Sequence, residues 1–430
     1  MQILIYSYNY YPEPIGIAPL MTELAEGLVK RGHDVRVVTG MPNYPERQVH
    51  PDYRKKFYVT EQIKGVTVQR SYMWVRPNPN LIDRILLDGS FVATSLVQAL
   101  RGWRPDLVML TAPPLPVSVP ASLLGAIYSC PVVLNLQDIL PDAAIHLGIL
   151  KNPAMIRVFE ALEHFAYRSA TAISVITDKF TENLHSKGVD PKKITCIPNW
   201  VDTSFIRPLD KQPNTFRAAQ GLEGKFVVQY SGNIAHSQGI ETVIRAAAQL
   251  IHIPEIVFAI AGEAQAVQRL ESWCRTEGIS LENIRLLELQ PRPELPTMLA
   301  AADVGLIVQK RNVVAFNMPS KTQVLMASGR PIIASVPGDG PAAEAIHRSG
   351  AGLLAEPESP DSLVQAVLEL YHDPERAVQM GRKGRQFALE HYSFEASLKR
   401  YEELFASVIA EASSETVPTA SAVPDLSGSR

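Results

Sequence analysis

Cysteine is scarce: Cys130, Cys196 and Cys274 are the three in 430 residues, and they stand far apart. That spacing forms no disulfide framework and no zinc-ligand pattern, and it suits a reducing cytoplasm. An excess of one charge is lacking too. Forty-one Lys and Arg face 44 Asp and Glu, a formal net charge of −3, so no global field draws the chain onto nucleic acid. The basic runs Arg54-Lys55-Lys56, Lys192-Lys193 and Arg382-Lys383-Gly384-Arg385 are short and read as solvated faces. The apolar run Met1 to Tyr6 has no basic region before it, and mostly polar Ser7 to Glu13 follow, so no signal peptide is expected. An unbroken hydrophobic run is missing as well. Leu115 to Leu136 is interrupted by Pro116, Pro120 and Pro131, whereas a membrane span needs about 20 consecutive apolar residues. The expected location is the cytoplasm, with peripheral contact at the inner face of a membrane left open.

What is present looks globular. Apolar residues make up 46% and charged residues 20%, ordinary values for a packed protein. The length exceeds what one hydrophobic core serves and suits two domains. Gln2 to Ser7 reads as a buried strand, Met21 to Arg31 as a helix with Leu24, Leu28 and Val29 on one face, and Asp34 to Thr39 as the next strand. Strand patterns recur at Asp106 to Leu110, Val132 to Leu136, Ala172 to Ile176 and Ile194 to Pro198. The alternation restarts with Lys225 to Ser231, Ile256 to Ala261, Ile284 to Leu287, Val304 to Val308 and Pro331 to Val336. Helical patterns lie between them, which predicts two α/β halves, each a parallel sheet covered by helices. The predicted domains are 1–200 with a closing helix over 393–410, 201–392, and a disordered, Ser/Thr/Ala/Pro-rich tail over 411–430.

Ligands of open parallel sheets bind beyond the carboxyl ends of the strands, so the loops there carry the candidates. Tyr8 to Ala18 holds Glu13 and Gly16 and opens a helix, where backbone N–H groups can meet an anion. A plain β–α turn explains it equally well. Gln137-Asp138-Ile139-Leu140-Pro141-Asp142 follows a buried strand. Asp138 suits proton transfer or hydroxyl binding, and Asp142 suits a helix cap. Phe316 to Gln323 contains Pro319-Ser320-Lys321 at a helix start, with Lys310 and Arg311 just before it. A cation beside free N–H groups makes an anion site, and an N-cap with an exposed lysine is the bland alternative. Gly338-Asp339-Gly340-Pro341-Ala342-Ala343 matches a dinucleotide fingerprint in spacing only and reads as a turn into the helix bearing Glu344.

Nearly the whole chain, Met1 to Ala410, resembles the family-4 glycosyltransferases of the GT-B fold, especially the enzymes of exopolysaccharide and colanic acid synthesis. The resemblance rests on Tyr11-Pro12-Glu13 with Gly16, Leu28 to Val35, Ile197-Pro198-Asn199-Trp200-Val201-Asp202 and Tyr230-Ser231-Gly232-Asn233. Ala302-Asp303-Val304-Gly305-Leu306, Met318-Pro319-Ser320-Lys321 and Ala327-Ser328-Gly329-Arg330-Pro331 complete it. It implies two facing Rossmann-like domains with a cleft between them, nucleotide-sugar donor in the C-terminal one and acceptor in the N-terminal one. It also implies retention at the anomeric carbon and no obligatory metal or cofactor. The acceptor it implies is a glycan or a polyprenyl-linked glycolipid. No Asp-x-Asp pair occurs in the sequence, so cations and helix N-termini are expected to neutralise the leaving diphosphate.

The chain departs from the family where many relatives carry an Arg and a Lys after the first C-domain strand; Asn233 and Gln238 stand there. Val324 replaces the ribose-holding Glu, and Gln137-Asp138 replaces a common His-Asp. The expected donor residues are therefore Gly16, Gly232, Asn233, Lys310, Arg311, Ser320, Lys321 and Glu344. Glu13, Gln137 and Asp138 are expected on the acceptor, with Asp138 and Lys321 catalytic and no metal ligand. A sugar-nucleotide epimerase of the same fold, a dinucleotide oxidoreductase and a non-catalytic assembly subunit remain the alternatives.

Overall fold

The computed structural model describes residues 1–14, 16–146, 150–313 and 318–415. The chain folds as two compact units. Among the described residues, one comprises Met1–Val175, Gly188–Thr195 and the helix from Leu398 to Glu415; the other comprises Ile176–Lys187 and Cys196–Ser397.

The first unit is built on β1 (Gln2–Tyr6), β2 (Asp34–Gly40), β3 (Tyr58–Ile63), β4 (Val66–Ser71), β5 (Leu107–Ala112), β6 (Val132–Leu136), β7 (Ala172–Val175) and β8 (Ile194–Cys196). The sheet order is β3-β4-β2-β1-β5-β6-β7-β8. β1 pairs in parallel with β2 and β5, with Ile3 opposite Val35 and Leu107. Ile3, Leu4 and Ile5 are fully buried, as a strand covered on both faces must be, and this explains its unbroken apolar run. β3 runs antiparallel to β4 at the sheet edge. This hairpin is missing from the sequence reading, because Tyr58–Ile63 alternates polar and half-buried residues as an edge strand does. Helices Leu81–Ala99, Ser118–Tyr128 and Pro153–Ser169 follow β4, β5 and β6 and pack side by side.

The closing helix runs from Phe394 to Glu415. Its return to the first unit is fixed by Asn135, which donates to the Tyr401 hydroxyl at 2.8 Å, and by His33 3.0 Å from Glu402. The expectation of a tail from Glu411 onward is corrected over Glu411 to Glu415, which continue the helix. Ser413 and Ser414 donate to the Ile409 and Glu411 carbonyls, so local bonds hold a turn that has no apolar stripe to announce it. The remainder of that expectation, 416–430, lies outside the described residues.

The second unit carries β9 (Phe226–Ser231), β10 (Ile256–Gly262), β11 (Ile284–Glu288), β12 (Val304–Val308), β13 (Ile332–Ser335) and β14 (Gly352–Ala355). All pair in parallel, in the order β11-β10-β9-β12-β13-β14. Counted within the unit this is 3-2-1-4-5-6, the Rossmann order, and its direction of winding reverses between β9 and β12. Val228, Tyr230, Phe258, Ile260 and Val304 lie in its main apolar core with helices Ile240–Gln249 and Pro360–His372. At the opposite ends of β9 and β12, Arg217 is 1% exposed and bonds Asp303 at 2.5 Å, while Asp303 also accepts from Val227 N–H at 2.8 Å. Among the described residues no helix is long and apolar enough to cross a membrane.

Candidate active site

The reversal between β9 and β12 is where an open sheet of this order leaves a crevice. A cavity of about 330 Å³ sits there. β9 and its loop contribute Gln229, Ser231, Gly232 and Asn233. β12 contributes Leu306, and the helix Lys321–Ser328 brings Lys321, Val324 and Leu325 behind Ser320. Leu295 and Leu299 complete an apolar wall.

Lys321 is its cation. The ammonium donates to the Tyr230 hydroxyl at 3.0 Å and lies 4.5 Å from the centre of that ring. Tyr230 is fully buried, and its hydroxyl donates in turn to the Asn233 carbonyl at 2.6 Å. Burial lowers the Lys321 pKa to about 8, because a charge loses water without gaining a carboxylate. Gly232 makes this approach possible. Its φ is 137°, and a Cβ there would meet Lys321 Cε at 2.6 Å, so only glycine serves. Gln229 is 4% exposed, and its amide oxygen and nitrogen have no partner. A buried amide left so is unusual. The ammonium and the start of a helix together form a place for an anion.

Thus Gly232, Asn233, Ser320 and Lys321 come together as expected from their loops. Lys310 and Arg311 are not among the residues lining this cavity. The Arg311 guanidinium bonds the Pro357 carbonyl at 3.1 Å and lies 3.5 Å from Glu356, while the Arg311 backbone N–H donates to the Glu358 carboxylate. The Lys310 backbone N–H donates to the Ser237 carbonyl, and its side chain packs near Gly239. Glu344 lines a separate small cavity with Asp178 and Arg348, 3.5 Å from that arginine. Phe316 and Asn317 of the same candidate loop lie outside the described residues. Tyr230 and Gln229 were missed as site residues. An aromatic in a strand reads as core, but a glutamine within Phe226-Val227-Val228-Gln229 was a usable signal.

In the first unit Gly16 has φ 71° and precedes the helix Ile17–Lys30. Glu13 is 6% exposed, and its carboxylate accepts from Asn43 N–H at 2.8 Å, Tyr44 N–H at 2.9 Å and the Asn9 amide at 2.6 Å. Desolvation pushes its pKa up despite these donors. It lines a cavity of about 370 Å³ with Tyr44, Gln48, His50 and Arg54. Glu13 thereby ties the loop after β2 to the loop after β1. Glu13→Ala strands buried donors and is expected to cost about 1–3 kcal/mol; urea unfolding of the variant checks this. After β6, Gln137 donates to the Asn135 side chain at 2.8 Å, and the Asp138 carboxylate accepts from Ile139 N–H at 2.9 Å. Asp142 opens the short helix Asp142–His146.

Two Rossmann-like units, the second with a cavity at its switch point that sets a lysine beside a helix start, place the protein in the broad class of doubly wound α/β proteins whose ligands bind there. Comparison with known proteins sharpens this. Residues 16–200 match the model of the glycosyl transferase 4-like domain, and residues 212–387 that of the glycosyl transferases group 1. The chain is 32% identical over 383 residues to WcaI of Escherichia coli (strain K12), a glycosyl transferase assigned by name to colanic acid biosynthesis. The match covers 85% of this chain and 91% of that one. It is 25% identical over 397 residues to a glycogen synthase of Mycobacterium tuberculosis, covering 90% of each. HepE of Anabaena, solved in complex with UDP, superposes with a TM-score of 0.69 at 16% identity, over 95% of this chain and 100% of that one. The chain belongs to the family-4 glycosyltransferases and has their GT-B type of fold, two Rossmann-like domains.

Proposed function

We propose that this glycosyltransferase takes its sugar from a nucleoside-diphosphate donor held by the second unit. In this reading the first unit receives a glycan or polyprenyl-linked glycolipid acceptor, in exopolysaccharide or cell-envelope biosynthesis. Transfer proceeds with retention at the anomeric carbon, without an obligatory metal and without a cofactor; the sugar nucleotide is a substrate. The observation that carries the donor assignment is Lys321, a half-buried ammonium held over Tyr230 beside Gly232 at a helix start. Negative charge grows on the leaving phosphate oxygen, and a fixed cation in a poorly solvated site lowers that barrier. Since Arg311 is engaged with Glu356 and Pro357, the role of a diphosphate clamp falls to Lys321. Asn233 and Ser320 complete the donor side, and Asp138, with Gln137, orients the acceptor hydroxyl. The relatives' names support the pathway: WcaI carries colanic acid biosynthesis in its own.

A thermal-shift titration with UDP, GDP, ADP and NAD, with and without chelator, tests the donor assignment. A ligand that binds the folded state alone raises its stability by mass action. A shift with one diphosphate, unchanged by chelator, is expected. A shift with NAD alone, or with none of the four, would sink the reading.

A further inference from the structure

One side chain of the second unit runs against its surroundings. β9 is covered on both faces, and a strand so placed carries apolar side chains on each. Val228 and Tyr230 lie in the main core, while Val227 packs with Val257, Ala259 and Met298 on the other face. Gln229 follows Val227 on that second face and is 4% exposed. Its neighbours in the sheet are Ala259 of β10 and Gly305 of β12, and neither has a polar side-chain atom. Leu325 closes over Gly305, where a Cβ would meet its Cδ2 at 2.5 Å. Among the described residues the Gln229 amide oxygen and nitrogen find no partner. A carboxamide taken out of water without partners costs stability. Gln229 lines the cavity at the switch point, so a ligand in that cavity can supply what the fold does not.

The lining says which kind of ligand. Asn233, Ser320 and Lys321 gather at the loop after β9 and at the helix start. Leu295, Leu299, Leu306, Val324 and Leu325 supply apolar walls. Small-molecule sites are of this kind, apolar with a few polar groups that fix orientation. Gln229 precedes Gly232, beside which Lys321 lies, by three residues, about 10 Å of strand. A ligand that fills the space carries negative charge at one end and, at the other, a flat group with apolar faces and a polar edge. A nucleobase is such a group. A hexose is not, since hydroxyls on both its faces would meet leucine and valine. A carboxamide sets a donor beside an acceptor and pairs twofold with a base edge that does the same. Turned over it fits the opposite order, so Gln229 can anchor a base without choosing which.

Resting on the donor assignment above, we propose that the Gln229 amide anchors the base of the donor nucleotide while Lys321 holds its diphosphate.

The test is calorimetric titration of the full chain with UDP, GDP, ADP and inorganic pyrophosphate, in wild type, Gln229→Leu and Gln229→Met. Both substitutions keep the bulk of the side chain and remove its hydrogen bonds. Methionine also keeps the unbranched shape, so the test does not depend on the fit of leucine. Both variants are expected to melt no lower than wild type, because an unpaired buried amide gives way to an apolar group. Their affinity for the nucleoside diphosphate that wild type binds best is expected to fall on the order of 10- to 100-fold, the loss of one twofold pair to a base edge. Pyrophosphate, which has no base, is expected to bind all three proteins alike. Variants that bind the nucleoside diphosphate as tightly as wild type would overturn the proposal. So would an equal loss for pyrophosphate, which would place the effect at Lys321 or in the fold. Wild type that binds none of the four would remove the donor assignment itself, and the base anchor with it.

Discussion

Lys321→Ala is expected to lower turnover on the order of 100- to 1,000-fold, the usual loss when a group that stabilises transition-state charge is removed. The expectation follows from position more than from charge as such. The ammonium is fixed by the Tyr230 hydroxyl at 3.0 Å and by the ring face beneath it, so it needs no reorganisation when charge appears on the leaving group. Lys321→Arg is not expected to rescue. The planar guanidinium is wider than an ammonium, and the room beside Gly232 is already filled by Lys321 Cε. Donor turnover with saturating acceptor, and the diphosphate-induced shift in melting temperature, measure both variants. Wild-type values in Lys321→Ala would remove Lys321 from the mechanism.

The same residue predicts a pH dependence. Its pKa is lowered to about 8 by burial, so the charged form prevails below that value. Diphosphate affinity of the wild type is expected to be level on the acid side and to fall as pH rises through about 8. In Lys321→Ala that fall disappears. The stability sign is opposite: the folded state releases the proton more readily than the unfolded chain. The cost of holding the buried charge is therefore relieved as pH rises from about 8.

The sequence showed most of the sheet but only part of the site. β1 and β9 were legible because strands covered on both faces carry apolar runs, Ile3 to Tyr6 in one and Phe226 to Val228 in the other. β3 was not, because an edge strand shares its alternation with a loop, and the four-residue β14 is too short to show a period. Lys321 was legible because proline and serine announce a helix start. Its partner was not, since Tyr230 looks like any core aromatic until Gly232, at φ 137°, lets the lysine lie over it. That Arg311 stands outside the lining of the Lys321 cavity was illegible for the same physical reason. Its partners Glu356 and Pro357 are more than 40 residues away in sequence, and a contact of that range leaves no local mark. Asp303 was recognised as part of a recurring string, while the force that keeps it there came only from the fold.

That force gives the other large expected effect, on stability. Arg217→Ala is expected to destabilise the protein by about 3–5 kcal/mol, the cost of leaving one member of a buried ion pair alone. The guanidinium reaches the Ala301 carbonyl at 2.8 Å, the Leu222 carbonyl at 3.3 Å and the Lys225 carbonyl at 3.0 Å, besides Asp303 at 2.5 Å. It therefore joins the turn before β9 to the turn before β12. Asp303 accepts from Val227 N–H as well and meets the more exposed Lys211 at 2.5 Å, so Lys211 can screen the stranded carboxylate only from the solvent side. Asp303→Asn should cost a comparable amount, because the amide oxygen keeps an acceptor for Val227 but leaves the buried Arg217 guanidinium without its counter-charge. Equilibrium urea unfolding measures the two variants. If Arg217→Ala unfolds at the wild-type midpoint, the pair does not hold the two strand starts together. The cavity lies at the carboxyl ends of those strands, so a loss of stability with diphosphate binding intact in the remaining folded protein would separate this scaffold from the chemistry of Lys321.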